Sequence, residues 1–162
     1  VFAAARGAGV RRVIFASSGA TVTGYELDEP YAALVGGKYD GLTTWSMLTH
    51  ETPVRPAALY GVSKVYGEAL GRQYPDEHGL SVLSIRIGRV KAEDRPTTPR
   101  DFSVWLSQRD VVQILERAIE APAALRHGIF FAVSDNRWSY RDLEHARRVL
   151  GFVPQDRAED HR

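Results

Sequence analysis

Tyr60 and Lys64 stand four positions apart in the run Tyr60-Gly61-Val62-Ser63-Lys64. In a helix that spacing sets a phenol and an ammonium on one face, about one turn apart. An ammonium beside a phenol favours the phenolate, the form a general base needs to take the proton of an alcohol. The same pair also suits a half-buried tyrosine with a surface lysine, so the spacing alone does not name a reaction. A second source of chemistry lies upstream, where Val13-Ile14-Phe15 gives way to Ala16-Ser17-Ser18-Gly19-Ala20-Thr21. That change of text places serine hydroxyls at the carboxyl end of a strand, where open α/β sheets take their ligands. Other chemistries find less support. His50, His78, His127, His145 and His161 are scattered without metal-ligand spacing, and no metal is expected. The absence of cysteine excludes thiolate catalysis, disulfides and Cys-based metal sites. Around Ser63 the second glycine of a serine-hydrolase nucleophile elbow is missing.

These residues need elements to hold them. The compact apolar run within Val10–Ser18 predicts a buried strand. From Gly24 to Pro56 the text is irregular and rich in Gly, Pro, Tyr and Trp, predicting a long loop with a short helix near 31–35. A helix is predicted over about 57–74, opened by Pro56 and ended before Pro75. A second strand is predicted over Ser81–Val90, where Val82, Ser84 and Arg86 alternate with Leu83, Ile85 and Ile87. Ser107 with Asp110 has N-cap spacing ahead of an apolar helical stripe that stops before Pro122. Gly128–Val133 predicts a third strand, and Ser139 with Asp142 is expected to cap a last helix before Gly151. The charged tail beyond it is expected to be mobile. Strands alternating with helices predict an α/β parallel sheet with helices on its faces.

The 162 residues are 44% hydrophobic and 25% charged, enough for one core. A formal charge of +1 provides no field for a polyanion, so no nucleic-acid partner is expected. No apolar run approaches the roughly 20 residues of a membrane span, so no membrane partner is expected either, and a cytoplasmic location is. Residue 1 is Val, and Val1–Gly9 looks like the last turns of a helix closed by glycine. The expectation is a single partial domain over 1–162, cut from a longer parent.

Phe15-Ala16-Ser17-Ser18, then Thr49-His50-Glu51-Thr52-Pro53 leading into Leu59-Tyr60-Gly61-Val62-Ser63-Lys64, then Arg86-Ile87-Gly88, together resemble the extended short-chain dehydrogenase/reductases, the NAD-dependent epimerase/dehydratase family. Within it the chain is most similar to the uronate dehydrogenases, through Tyr60–Gly71, Arg100 with Ser103 and Trp105, and Leu150-Gly151-Phe152 with Pro154-Gln155-Asp156. The resemblance implies the C-terminal part of a Rossmann-like doubly wound parallel sheet, without its first βαβ units, and with a small substrate-binding region. It implies Tyr60 as acid/base, Lys64 on the nicotinamide ribose and Ser18 on the reacting oxygen, with Ser17 the weaker candidate for that hydroxyl; Tyr60, Lys64 and Ser17 would also contact the cofactor. Ser18, Gly19, Arg89 and Arg100 would line the substrate side, Arg100 gripping a sugar carboxylate. The implied cofactor is NAD, with NADP left open, and the implied substrate is a sugar or sugar acid. A homodimer through the Tyr60–Lys64 helix is implied for the parent. Two positions depart from the pattern: Gly19-Ala20 replace an Asn-His pair, and Arg89 stands where a small hydroxyl residue is usual. The glycine-rich pyrophosphate turn is also missing, because Gly7-Ala8-Gly9 precedes a strand instead of following one. An epimerase or dehydratase that returns the hydride to its substrate stays open beside a dehydrogenase, as does a non-catalytic partial domain.

Overall fold

The structure is a computed structural model, and it describes residues 1–161. Strands β1 (Arg12–Ser18), β2 (Ser81–Ile87) and β3 (His127–Ala132) form one parallel sheet in the order β1-β2-β3. Arg12 pairs with Ser81 and Ser18 with Ile87, while Val82 pairs with His127 and Ile87 with Ala132. Helices α1 (Phe2–Gly7) and α3 (Leu59–His78) cover one face. The other face carries α5 (Gln108–Glu120) and α6 (Glu144–Leu150). Two short helices, α2 (Tyr31–Val35) and α4 (Asp101–Val104), belong to a side lobe.

The central strand has neighbours on both edges and helices on both faces, so alternation along Ser81–Ile87 does not separate core from solvent. Leu83 and Ile85 join Ile114, Phe130, Ala146 and Phe152 under α5 and α6. Val82 meets Phe2 and Leu80 on the opposite face, and even Ser84 and Arg86 are buried. Helix α3 can lie close to the sheet because it turns glycines towards it. A Cβ at Gly67 would fall inside the Phe15 ring, and one at Gly71 would meet Val82 Cγ1 at 3.0 Å.

Several boundaries differ from expectation. Pro56 precedes α3, which starts at Leu59, and Pro75 lies inside the helix. The proline forfeits one backbone hydrogen bond, yet it is buried, and α3 continues to Gly79, whose φ of 71° closes it in the left-handed region. Residues Gly19–Leu27 form a 3-10 turn that reaches into the stretch from Gly24 expected to be loop. Ser107 does cap α5, accepting from Asp110 N–H at 3.0 Å. Ser139 does not cap α6: its hydroxyl accepts from Arg141 N–H, and Asp142 alone reaches the helix through His145 N–H. The tail is not loose over its described part. Asp156 accepts from Ser107 Oγ and Arg109, Ala158 N–H donates to Asn136, and Ala158–His161 makes a final 3-10 turn.

The long segment after β1 builds the lobe with its own aromatic residues. Tyr39 stacks on Trp138 with centroids 4.0 Å apart, Tyr31 meets Tyr140 edge-on at 5.4 Å, and Trp45 Nε1 donates to Ser139 O. With Val22, Leu34, Leu48, Val104 and Phe131 they make a second core beside the carboxyl ends of the strands.

Candidate active site

β1 ends at Ser18, whose hydroxyl accepts from Ala20 N–H at 3.1 Å and so caps the 3-10 turn. Accepting leaves the hydroxyl proton available for a ligand oxygen. The first turn of α3 sits directly on this corner, since a Cβ at Gly61 would lie 2.5 Å from Ala20 O. Tyr60 therefore stands at the strand end, and it is 58% exposed. Lys64 reaches back along the helix: its Nζ donates to Ala16 O at 2.8 Å and lies 5.3 Å from the Tyr60 ring centroid. Ser18, Tyr60 and Lys64 thus gather at the carboxyl end of β1.

Ser17 belongs to a different environment. It is 3% exposed and donates to Glu68 Oε1 at 2.6 Å, and the Glu68 carboxylate takes two bonds from Arg86, at 2.9 and 2.8 Å. Successive side chains on a strand point to opposite faces, so the neighbour of a site-facing serine turns under α3. The expected contact of Ser17 with a cofactor does not fit this placement. Instead, a serine, a glutamate and an arginine from β1, α3 and β2 hold the Tyr60–Lys64 helix in position.

Arg100 is not a free guanidinium in a loop. It forms a forked pair with Glu26 at 2.8 and 2.6 Å, and Glu26 also accepts from Tyr140 OH. Burial pushes the Glu26 carboxyl up, but the hydrogen bonds and charge of Arg100, with help from Tyr140 and the charge of Arg141, hold it below its ordinary range. A substrate carboxylate at Arg100 would have to displace this internal one. Arg89 and Lys91 both face Asp101, at 3.3 and 2.9 Å. Burial raises the Asp101 carboxyl, and the Thr97 N–H, Lys91 and the Thr98 N–H outweigh that and lower it. Gly19 lies under a residue that the spacing of motifs did not reveal: a Cβ there would fall inside the guanidinium of Arg141. No local pattern in Ser139-Tyr140-Arg141-Asp142 announces that contact. The bare Gly19 beside Ser18 is the one hint in the sequence that something else fills the place of a side chain.

A hollow of about 530 Å³ lies beside Arg12, Gly79 and Ser81, at the opposite end of the strands from Ser18 and Tyr60. Among the described residues no group of three or more acidic or histidine side chains is gathered around a metal-sized space. No described helix is long and apolar enough to cross a membrane.

The strand-end serine and the Tyr–Lys turn of α3 sit where a dinucleotide-binding sheet takes its substrate, and a model of the NAD dependent epimerase/dehydratase family matches residues 1–104. The chain belongs to that family. Uronate dehydrogenase of Pseudomonas putida is 38% identical over 162 residues, all of this chain and 53% of that protein. NAD-dependent glucose-6-phosphate dehydrogenase of Haloferax volcanii is 38% identical over 157 residues, 96% of this chain and 57% of that protein. A crystal structure of glucuronic acid dehydrogenase from Chromohalobacter salexigens superposes with a TM-score of 0.80 at 33% identity, covering 98% of this chain and 52% of that one. These family members are sugar dehydrogenases, and the chain spans about half the length of the curated relatives it matches. Their Rossmann-like architecture agrees with the three parallel strands and two helical layers found here.

Proposed function

We propose that this chain carries the substrate-oxidising site of an NAD-dependent sugar dehydrogenase, acting on a sugar or sugar acid. The observation that carries the reading is the corner of β1 and α3, where Ser18, the exposed Tyr60 and Lys64 meet. Tyr60 and Lys64 suit the nicotinamide end of NAD because they stand open at the carboxyl end of a parallel strand. The pyrophosphate end has no counterpart among the described residues. Gly9, with a φ of 69°, closes α1 ahead of β1 and forms no strand-to-helix turn.

Lys64, anchored on Ala16 O, holds its positive charge beside the Tyr60 ring. Ser18 donates its hydroxyl proton to the sugar oxygen and fixes the alcohol. Tyr60 takes the alcohol proton, a carbonyl forms at that carbon, and the C–H bond breaks with its electron pair. Bound NAD supplies the acceptor for that hydride. The reading includes a cytoplasmic location, in line with a chain without cysteine. It also includes a homodimer through α3, supported by the exposed Leu59, Val62 and Tyr66 along one side of that helix.

The test is Tyr60→Phe in the full-length protein, assayed by NADH formation with hexuronic acids, glucose 6-phosphate and neutral aldoses. The ring stays and the proton acceptor goes, so turnover should fall about 10²–10⁴-fold while sugar affinity is retained. Unchanged turnover would overturn the proposed mechanism.

A further inference from the structure

Arg141 is held by the lobe. Leu48 N–H donates to Tyr140 O at 2.7 Å and Asp142 N–H to Leu48 O at 2.9 Å, so the backbone on either side of Arg141 is pinned. Its side chain then lies flat over Gly19, in the volume a Cβ would need, directly after Ser18 in the chain. The residue is 3% exposed, and Nε is buried without a hydrogen-bond partner among the described residues. The neighbouring carboxylates are occupied: Glu26 is shared by Arg100 and Tyr140, and Asp101 by Arg89 and Lys91. Among the described residues Arg141 forms no ion pair of its own.

A guanidinium nearly stripped of water, whose neighbouring carboxylate Glu26 is already bonded to Arg100 and Tyr140, is unfavourable unless a ligand anion completes it. Its planar fork matches the paired oxygens of a carboxylate or phosphate. We propose that Arg141, and not Arg100, receives the anionic group of the sugar, with Gly19 as the bare floor that lets the guanidinium stand beside Ser18. The assignment rests on the reading of Ser18 and Tyr60 as the reacting end. It narrows the substrate to an acidic sugar, either a uronic acid or a sugar phosphate.

Equilibrium binding of glucuronate, glucose 6-phosphate and glucose to the full-length protein, followed by calorimetry, tests this without turnover. Wild type should bind one of the two anionic sugars at least about tenfold more tightly than glucose, and the one preferred identifies the anion. Arg141→Met should lose roughly 10–150-fold on that sugar, the worth of a charge-assisted pair, and leave glucose unchanged. Arg141→Lys should keep part of the preference. Gly19→Ala, which displaces the guanidinium without removing it, should behave like Arg141→Met. Thermal melts accompany each variant. If Arg141→Met does not fold, the other two decide, and full preference in Gly19→Ala overturns the proposal. It is also overturned if wild type binds glucose as well as either anion, or if Arg141→Met keeps the preference and Arg100→Met loses it. Failure of the dehydrogenase reading shows differently, as a Tyr60→Phe protein that still turns over while Arg141 still governs anion binding.

Discussion

Glu68 is the carboxylate on which the placement of the reactive helix depends. It is buried, it joins Ser17 of β1 to Arg86 of β2, and it sits one helical turn beyond Lys64. Breaking one side of such a pair leaves the other charge buried without compensation, at a cost of about 3–5 kcal/mol. Arg86 is already stretched in this respect, with Nη1 unpartnered and its guanidinium 5.1 Å from the Phe131 ring. Glu68→Ala is expected to lower stability by about that amount in urea unfolding, whereas a paired replacement of Glu68 and Arg86 by apolar residues of similar size should lose much less. Local spacing made Tyr60, Lys64 and Ser18 legible in the sequence, because each lies in a short motif on a predictable element. Glu26 and Arg141 were not legible, since Glu26 finds Tyr140 across 114 positions and Arg141 covers a glycine far upstream. Arg100 was legible as a residue of interest but not in its partner, because a sequence does not show which carboxylate will reach a guanidinium first.

At the scale of the element, α3 depends on the absence of side chains at Gly61, Gly67 and Gly71. Each of them meets backbone, ring or branched carbon of the layer beneath, so the helix axis has no room to rise without moving Tyr60 and Lys64. Gly67→Val would force the Phe15 ring aside, and overpacking of this kind costs about 1–3 kcal/mol. A lower melting temperature should therefore accompany weakened docking of Lys64 on Ala16, visible as an upfield change in the amide spectrum around Ala16 and Ser17. Strands and the two longer helices could be anticipated from runs of apolar residues, from the Ser107 cap and from the prolines. The 3-10 turn after β1 could not, as the local bonds of the Ser18, Thr21 and Thr23 hydroxyls are joined by long-range backbone bonds between Arg55 and both Thr21 and Gly24. The order of the tail escaped for the same reason: Asp156 and Ala158 are tied down by Ser107, Arg109 and Asn136 and by no pattern of their own.

For the molecule as a whole, acid should act in two steps. Burial, then the charges of His50 and Arg148, push the His145 imidazole down, and its ring stacks 3.6 Å from that of His50. Burial, then Arg72, does the same to His127. As pH falls below about 6.5, the unfolded chain binds protons at these positions that the folded chain refuses, so stability declines. A second decline follows below the usual carboxylate range. Glu26, Asp101 and Asp156 are held down in the fold against the upward push of burial, and their contribution is lost as they finally protonate. Urea midpoints measured from pH 8 to pH 3 should show both steps, and replacing His127 and His145 by Gln should flatten the first alone. A flat midpoint between pH 7 and pH 5 in the wild type would mean that the imidazoles titrate alike in both states. The parallel sheet carries a consequence of another kind. No hairpin joins any two of its strands, and β1 pairs with residues 69 positions further on, Arg12 with Ser81. During synthesis at about 5–20 residues per second, β1 therefore leaves the ribosome roughly 3–14 s before the strand that will cover its inner edge. For that interval the edge of β1 that β2 will cover is without its partner strand, and α3, made before β2, offers Phe15 the glycine-lined surface against which it packs.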